Sequence, residues 1–268
     1  MRTVAPRGGD RPALPVYSAG MAVRLSVNVN KVATVRNSRG GEVPSVIEAV
    51  RVIVAAGAPG ITVHPRADER HIRRADALAI AAELAPLRDT IEFNIEGDPR
   101  PDLLDLVMQV RPHQCTLVPV LPGEITSQAG WPPDTSKAEI GAIVGRLAAA
   151  GVRVSLFVEP DAAAIGWAAD VGAQRVELYT EPFARAWLAG SAAADASFAR
   201  YAEAAELAHA LGLGVNAGHD LDLDNLRLFR SLPHLDEVSI GHALISRALF
   251  VGLGRVVGEY LGVLAEGA

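Results

Sequence analysis

Two glycine-histidine pairs end short apolar runs in the second half of the chain. Val-Asn-Ala-Gly-His spans residues 215–219, and Ser-Ile-Gly-His spans residues 239–242. Glycine lets the backbone come close to a ligand, and histidine gains or loses a proton near neutral pH. Backbone N–H groups at the start of a following helix bind phosphate. The two pairs therefore predict a phosphate or oxyanion site with acid–base chemistry.

Other short runs alternate polar and apolar residues. Residues 91–96 are the clearest case, because Glu92, Asn94 and Glu96 alternate with three large apolar side chains. The same alternation occurs at 25–30, 61–66 and 176–179. Side chains of a strand point alternately to its two faces, and a buried carboxylate without a partner is costly. We therefore expect the polar sets to converge on a ligand, with Glu92 as a partly desolvated general base.

Basic side chains follow the first two of these runs. Arg36 and Arg39 come after the first run, and Arg66, Arg70 and His71 come after the second. Such clusters suit an anion, although basic loop residues are commonly only solvated. We expect a second anion site here.

The elements that position these residues are eight predicted βα units. β-branched runs alternate with Ala/Leu-rich stretches of helical period, a pattern typical of a parallel sheet. The predicted strands are 23–29, 60–65, 90–95, 114–120, 153–159, 175–180, 214–217 and 237–240, and the helices begin near 44, 74, 101, 137, 161, 198, 222 and 243. Eight units in this length favour an α/β fold, the closed (β/α)₈ TIM barrel, whose sites lie at the C-terminal ends of the strands. An open flavodoxin-like sheet is the alternative.

Composition predicts one large domain with an aliphatic core. The 268 residues are 50% hydrophobic and carry a formal net charge of −6. Interspersed charges argue against nucleic-acid and membrane partners. The one cysteine, Cys115, excludes an intrachain disulfide and favours a reducing cytoplasm. Residues 1–20, rich in Gly, Pro and Arg, are expected to form a disordered tail, and residues 21–268 the barrel domain.

Several segments together resemble the pyridoxine 5′-phosphate synthase family and keep its motif order. They are Ser-Val-Asn-Val-Asn-Lys-Val-Ala-Thr-Val-Arg-Asn-Ser-Arg-Gly (26–40), Gly-Ile-Thr-Val-His-Pro-Arg (60–66), Arg-His-Ile (70–72), Val-Ser-Leu-Phe (154–157), Val-Asn-Ala-Gly-His (215–219) and Ile-Gly-His-Ala (240–243). The resemblance implies a barrel with extra helices that condenses 1-deoxy-D-xylulose 5-phosphate with 3-amino-2-oxopropyl phosphate. It implies no metal or organic cofactor, and a homo-oligomer, an octamer built from dimers.

The resemblance also implies roles for individual residues. His64 and Glu92 would accept protons, and His219 would donate one. The groups implied to hold the amino-ketone phosphate are Asn28, Arg39, Gly241 and His242, and those for the deoxyxylulose phosphate are Arg66, His71 and Thr126. Glu177 would be a further polar group of the cavity.

Two positions depart from the family's commonest pattern. Asn30-Lys31 stands where the family usually has Asp-His, and Asp220 stands where a glycine usually follows the second-half histidine. Asn30 keeps hydrogen-bonding capacity but lacks a charge, and Lys31 is a permanent cation. Asp220 would offer an anion only its backbone N–H. Substrate contacts by these residues are therefore less secure.

Other functions remain open from the sequence. One alternative is another barrel enzyme that acts on a phosphosugar. A Schiff-base aldolase would need a lysine near the barrel mouth, and this chain offers only Lys31 there. A metal-dependent hydrolase would want histidines where the first strand offers Asn28 and Asn30. A catalytically inactive barrel that binds a phosphorylated metabolite is the alternative outside enzymes.

Overall fold

A closed barrel of eight parallel strands in chain order forms the centre of the protein. The computed structural model describes residues 23–119 and 129–266. The strands are β1 (Arg24–Asn28), β2 (Gly60–Val63), β3 (Glu92–Gly97), β4 (Gln114–Leu117), β5 (Arg153–Val158), β6 (Arg175–Tyr179), β7 (Gly214–Gly218) and β8 (Leu235–Ile240). The pairing of β1 with β8 closes the barrel. The predicted (β/α)₈ fold is thus confirmed, and the open-sheet alternative is wrong.

Helices cover the outside of the barrel. In the described part of the chain they are α1 (Asn30–Asn37), α2 (Val46–Ala55), α3 (Arg74–Leu84), α4 (Pro101–Val110), α5 (Lys137–Ala149), α6 (Ala162–Asp170), α7 (Glu181–Ala189), α8 (Ser191–Ala210), α9 (Leu226–Phe229), α10 (His242–Val251) and α11 (Leu253–Ala265). Strands β1, β6 and β8 are each followed by two helices, which makes α1, α7 and α10 additional to the barrel repeat. None of the helices in the described ranges is long and apolar enough to cross a membrane.

The two faces of the strands carry different side chains, as their alternation predicts. Outward side chains such as Leu25, Ile61 and Ile95 pack against the helices in the main apolar core. Inward positions are mostly polar and buried. A small separate apolar cluster consists of Val118, Phe157 and Tyr179.

A chain of hydrogen bonds, here called the interior network, joins inward polar side chains of all eight strands. Its donor–acceptor distances lie between 2.6 and 3.4 Å. In strand order its members are Ser26, Thr62, Asn94, Gln114 and Thr116, Arg153, Arg175, Asn216 and Glu237. Because buried polar groups need partners, the network is what allows the barrel to have a polar interior.

Three local predictions differ from the structure. The segment after β1 is helix α1 rather than a loop, and its Arg36 is buried and paired with Asp76. Arg36 therefore holds two elements together and does not face an anion site. Strand β3 begins and ends two residues later than predicted. Helix α8 begins at Ser191 rather than near Phe198, because α7 precedes it. The predicted tail at 1–20 lies outside the described residues.

Candidate active site

The C-terminal ends of β1 and β2 are held together by two asparagines. The Asn28 side chain accepts a hydrogen bond from the Asn30 backbone N–H at 3.0 Å. The Asn30 side chain accepts from the backbone N–H of His64 at 2.9 Å. Asn30 thus binds the protein backbone and fixes the position of His64, a role that needs an acceptor oxygen but no charge.

His64 and Glu96 lie side by side at this end of the barrel. The distance from His64 Nδ1 to Glu96 Oε2 is 3.9 Å, and Asn28 Nδ2 lies 3.4 Å from the same oxygen. His64 Nε2 is buried and has no hydrogen-bond partner among the described residues. Because buried polar atoms are normally satisfied, this nitrogen is available to a ligand.

Burial shifts the pKa of both groups in ways that suit proton transfer. Burial, helped by the charges of His71 and Arg66, holds the pKa of His64 well below 6.5. Burial and the nearby Glu237 raise the pKa of Glu96 to about 8. At neutral pH the imidazole is therefore neutral and able to accept a proton. The carboxyl changes its protonation state near neutrality, as an acid–base group should.

Glu92 does not lie with these residues, which corrects its expected position. It is the first residue of β3, at the N-terminal end of the barrel. Its carboxylate is paired with Arg153 and lies 3.5 Å from Arg24 Nη1. Four residues along a strand separate it from Glu96 by about 13 Å. A carboxylate held by two guanidinium groups is a structural charge rather than a free general base.

His219 stands opposite, after β7, in a backbone conformation that non-glycine residues rarely adopt. Its φ is 79°, and that of Asp220 is 56°. The ring lies 4.8 Å from the ring of Phe157 and 5.5 Å from that of Tyr179, and its buried Nδ1 has no partner in the described ranges. Burial lowers the pKa of His219, although the Asp220 charge opposes the shift. Strain of this kind clusters at functional sites.

Glu177 is a second buried carboxyl of the site. Burial and the charges of Glu96 and Glu237 raise its pKa well above 4.5. A Cβ at position 218 would collide with its carboxyl oxygen, so the glycine leaves room for Glu177 in its present position.

Arg66, His71 and Lys31 form a basic region beside His64. The rings of His64 and His71 are 6.0 Å apart, and Arg66 is buried. Burial, then the charges of Arg66 and Lys31, lower the pKa of His71 to about 4. His71 Nδ1 accepts the Ile72 N–H at 2.9 Å, which leaves a protonated Nε2 to donate. These three donors suit a phosphate.

Gly241 and His242 start helix α10. The first backbone N–H groups of a helix lack intrahelical partners and attract anions. A Cβ at position 241 would come within 3.0 Å of Asn28, so glycine allows the turn to pack on the end of β1. His242 and Arg39 are both exposed. Asn28 thus contacts both the proton-transfer pair and the helix start.

The remaining expected residues lie elsewhere. Asp220 is exposed and helps line a cavity of about 320 Å³ beside α7, together with Trp187, Leu188 and Asn225. Thr126 lies outside the described residues. In the described ranges, no group of three or more His, Cys, Asp or Glu residues is arranged to hold a metal ion.

Two features of the site were missed in the sequence. Arg100 donates to the Pro65 carbonyl and pairs with Asp98, which fixes the loop that carries Arg66. Phe157 and Tyr179 enclose His219. Tyr179 already belonged to the predicted inward set at 176–179, whereas Phe157 was missed, although it lies two residues after Ser155 and so shares its inward face.

Comparison with known proteins assigns the chain to a family. Residues 25–266 match the model of the pyridoxal phosphate biosynthesis protein PdxJ. The chain belongs to the PdxJ family. A pyridoxine 5′-phosphate synthase of Bacteroides fragilis (strain YCH46) is 54% identical over 242 residues, covering 90% of this chain and 99% of the relative. One from Leptospira biflexa is 48% identical over 254 residues, covering 91% and 98%.

Solved structures show the same fold at low sequence identity. A 3-keto-L-gulonate-6-phosphate decarboxylase from Vibrio cholerae matches with a TM-score of 0.59 and 9% identity, over 92% of this chain and 100% of the other. The likeness places the PdxJ chain among (β/α)₈ barrels and carries no information about its reaction.

Exchanging each β3 glutamate for glutamine separates the two positions. We expect Glu96→Gln to lower kcat about 100-fold or more, since general acid–base catalysis contributes about 10²–10⁴. Glu92→Gln should keep most of kcat but lower the thermal midpoint, because it leaves Arg153 without its ionic partner. Both quantities are measured on the same preparations. A large loss of kcat in Glu92→Gln, with kcat kept in Glu96→Gln, would show that Glu92 is the catalytic glutamate.

Proposed function

We propose that this chain is a pyridoxine 5′-phosphate synthase. It would condense 1-deoxy-D-xylulose 5-phosphate with 3-amino-2-oxopropyl phosphate, releasing inorganic phosphate and water. The observation that carries the proposal is the 54% identity to a relative of that name along 90% of this chain. The placement of His64 beside Glu96 supports it, because amine attack, dehydration and ring closure all require proton transfers.

The proton-transfer roles follow from the environments of the groups. His64 is neutral and has a buried nitrogen with no described partner, so it accepts a proton from the substrate. Glu96 takes the role that the resemblance assigned to Glu92. His219, on the other side of the barrel, returns a proton to a leaving group through its enclosed ring. Glu177, whose pKa burial raises well above 4.5, supplies a further acid–base group.

The two phosphates would bind in different places. Arg66 and His71 would hold the deoxyxylulose phosphate, since they combine a buried cation with an N–H donor. The start of α10 at Gly241 and His242 would hold the amino-ketone phosphate, together with Asn28. Arg39, which lies between α1 and α2, would be a further contact of this phosphate. Lys31 acts on the first site through its charge.

A direct assay tests the function. Purified protein supplied with both substrates should form pyridoxine 5′-phosphate and inorganic phosphate, and each substrate alone should give none. Product is identified by mass and phosphate by a colorimetric assay. A folded protein that yields no product from the pair contradicts the proposal and leaves another phosphosugar enzyme or an inactive binding barrel.

Alanine variants test the two-site assignment. Arg66→Ala should raise KM for deoxyxylulose phosphate roughly tenfold or more, because losing a charge-assisted hydrogen bond costs about 1.5–3 kcal/mol. His242→Ala should act mainly on KM for the amino ketone. Equal effects on both substrates from each variant would show that the assignment is wrong.

We further propose that the protein is a cytoplasmic homo-oligomer built from dimers, up to the octamer that the resemblance implies. A role in coenzyme biosynthesis and a free buried thiol, Cys115, suit a reducing compartment. For assembly, the support is apolar exposure on the additional helices. Leu188 of α7 is 83% exposed, and Leu249 and Phe250 of α10 are 71% and 89% exposed. Large side chains exposed this far commonly mark contact surfaces.

Charge reversal on α10 tests the assembly. Phe250→Glu should lower the molar mass measured by light scattering at micromolar concentration, because burying a carboxylate in an apolar contact is unfavourable. Leu211→Glu is the control, since Leu211 is 46% exposed and follows α8 instead. A monomeric wild-type chain would contradict the proposal.

A further inference from the structure

A fourth buried glutamate lies inside the barrel below the proposed site. Glu237 of β8 is 2% exposed and aligns with Arg24 of β1 and Asn216 of β7. Its Oε1 accepts a hydrogen bond from Asn216 Nδ2 at 3.3 Å. It belongs to the interior network and is not one of the residues assigned to substrate.

Ser239 connects Glu237 to the proposed site. It is two residues further along β8, so its side chain shares the inward face, and its hydroxyl hydrogen-bonds the carboxyl of Glu96. Two residues of a strand span about 7 Å. The carboxyls of Glu96 and Glu237 both lie in the buried interior, with Ser239 connecting their positions, and buried charges interact more strongly than charges in water.

The charged groups around Glu237 leave it without an ion pair. Of the arginines below it, Arg153 pairs with Glu92, and Arg175 bonds Asn216 and lies 3.9 Å from Asp236. Arg24 lies 3.5 Å from Glu92. Within the described residues, no cation lies within ion-pair distance of Glu237. Above it lie the carboxyls of Glu96 and Glu177.

Glu237 is consequently able to titrate near neutrality. Burial and the Glu92 charge raise its pKa, and the three arginines oppose the shift, with the pKa reaching about 7. Ionised Glu237 disfavours the ionised form of Glu96, and protonated Glu237 permits it. Between the pKa of Glu237, about 7, and that of Glu96, about 8, the pair holds one negative charge.

We propose that Glu237 is a positioning residue for the reaction: its carboxyl controls whether Glu96 is ionised, so the two glutamates take up and return a proton as a unit. The proposal rests on the proposed function for its catalytic consequence. Its physical content, mutual coupling of two buried carboxyls, is independent of which substrate binds.

The test is the pH profile of Glu237→Gln. Removing the lower charge makes Glu96 easier to ionise, so the low-pH limb of kcat/KM should move to lower pH by about one unit. KM for both substrates should change little, because Glu237 does not touch them. Asp236→Asn is the matched control. It makes the same change one residue earlier on β8, at a partly exposed side chain, and should leave the limb in place. A folded Glu237→Gln with an unmoved limb overturns the proposal.

A measurement without substrate tests the role of Glu237 independently of the proposed synthase activity. A group whose pKa rises from 4.5 unfolded to about 7 folded binds its proton more tightly in the folded state. Its contribution to stability is therefore lost as pH rises between those values. Glu237→Gln should flatten the fall of the thermal midpoint over this range, whereas a purely structural role would shift the midpoint equally at every pH, which would contradict the proposal.

If Glu237→Gln does not fold, the proposal can be tested with the variant of the other glutamate, Glu96→Gln. Coupling between sites is mutual, so Glu96→Gln should lower the pH at which the two remaining carboxyls of raised pKa, Glu237 and Glu177, titrate. pH-difference infrared spectra of the protonated carboxyl band, compared between wild type and Glu96→Gln, report that midpoint. An identical midpoint in the two proteins would overturn the proposal even if neither forms product.

Discussion

The need to satisfy polar groups inside a closed barrel is the constraint on which the rest of this structure depends. Each strand turns a polar side chain inward, and an unpaired buried polar group costs about 1–3 kcal/mol. The interior network meets this demand by linking short side chains, such as the Ser26–Thr62 contact at 2.6 Å, to longer amides. Gln114 and Asn216 span the barrel and join strands that are not neighbours. The network also contacts a carboxyl of the proposed site, since Glu177 hydrogen-bonds Thr116.

Segregation of charge along the barrel axis explains how the carboxyls keep raised pKa values. Arg24, Arg153 and Arg175 all begin strands, so their guanidinium groups gather at the N-terminal end, where Glu92 is paired. Glu96 lies at the other end, where it contacts an amide, a hydroxyl and a neutral imidazole among the described residues and is influenced by the charge of Glu237. A guanidinium at that distance would favour the ionised form and remove its buffering near neutrality. The ion pairs and the acid–base site therefore depend on being apart.

The sequence predicted much of this arrangement, and its errors have local causes. Period-two alternation identified the strands and their inward faces because the helix ring demands an apolar outer face. It did not determine where β3 begins and ends, and alternation alone could not distinguish Glu92 from Glu96, which share one face of the strand. Helix α1 was missed because its cap residue, Val29, makes no side-chain capping bond, so the usual start signal is absent. Arg36 was consequently assigned to a loop. The contact between the tilted rings of Phe157 and His219 depends on how strands β5 and β7 are placed in the barrel, which no local pattern encodes.

The Asn30-Lys31 departure is easier to understand from these contacts than from the sequence. Asn30 makes two hydrogen bonds in the site: its backbone N–H donates to the Asn28 side chain, and its side-chain oxygen accepts from the His64 N–H, which an aspartate would also do. What the amide changes is charge: an aspartate would place another carboxylate beside Asn28 and His64, stabilising a protonated imidazole. Asparagine instead favours the neutral ring that burial already produces. Lys31 acts in the same direction on His71, whose pKa its charge lowers. Both departures thus favour neutral imidazoles around the pair of carboxyls, leaving the glutamates as the groups that change charge.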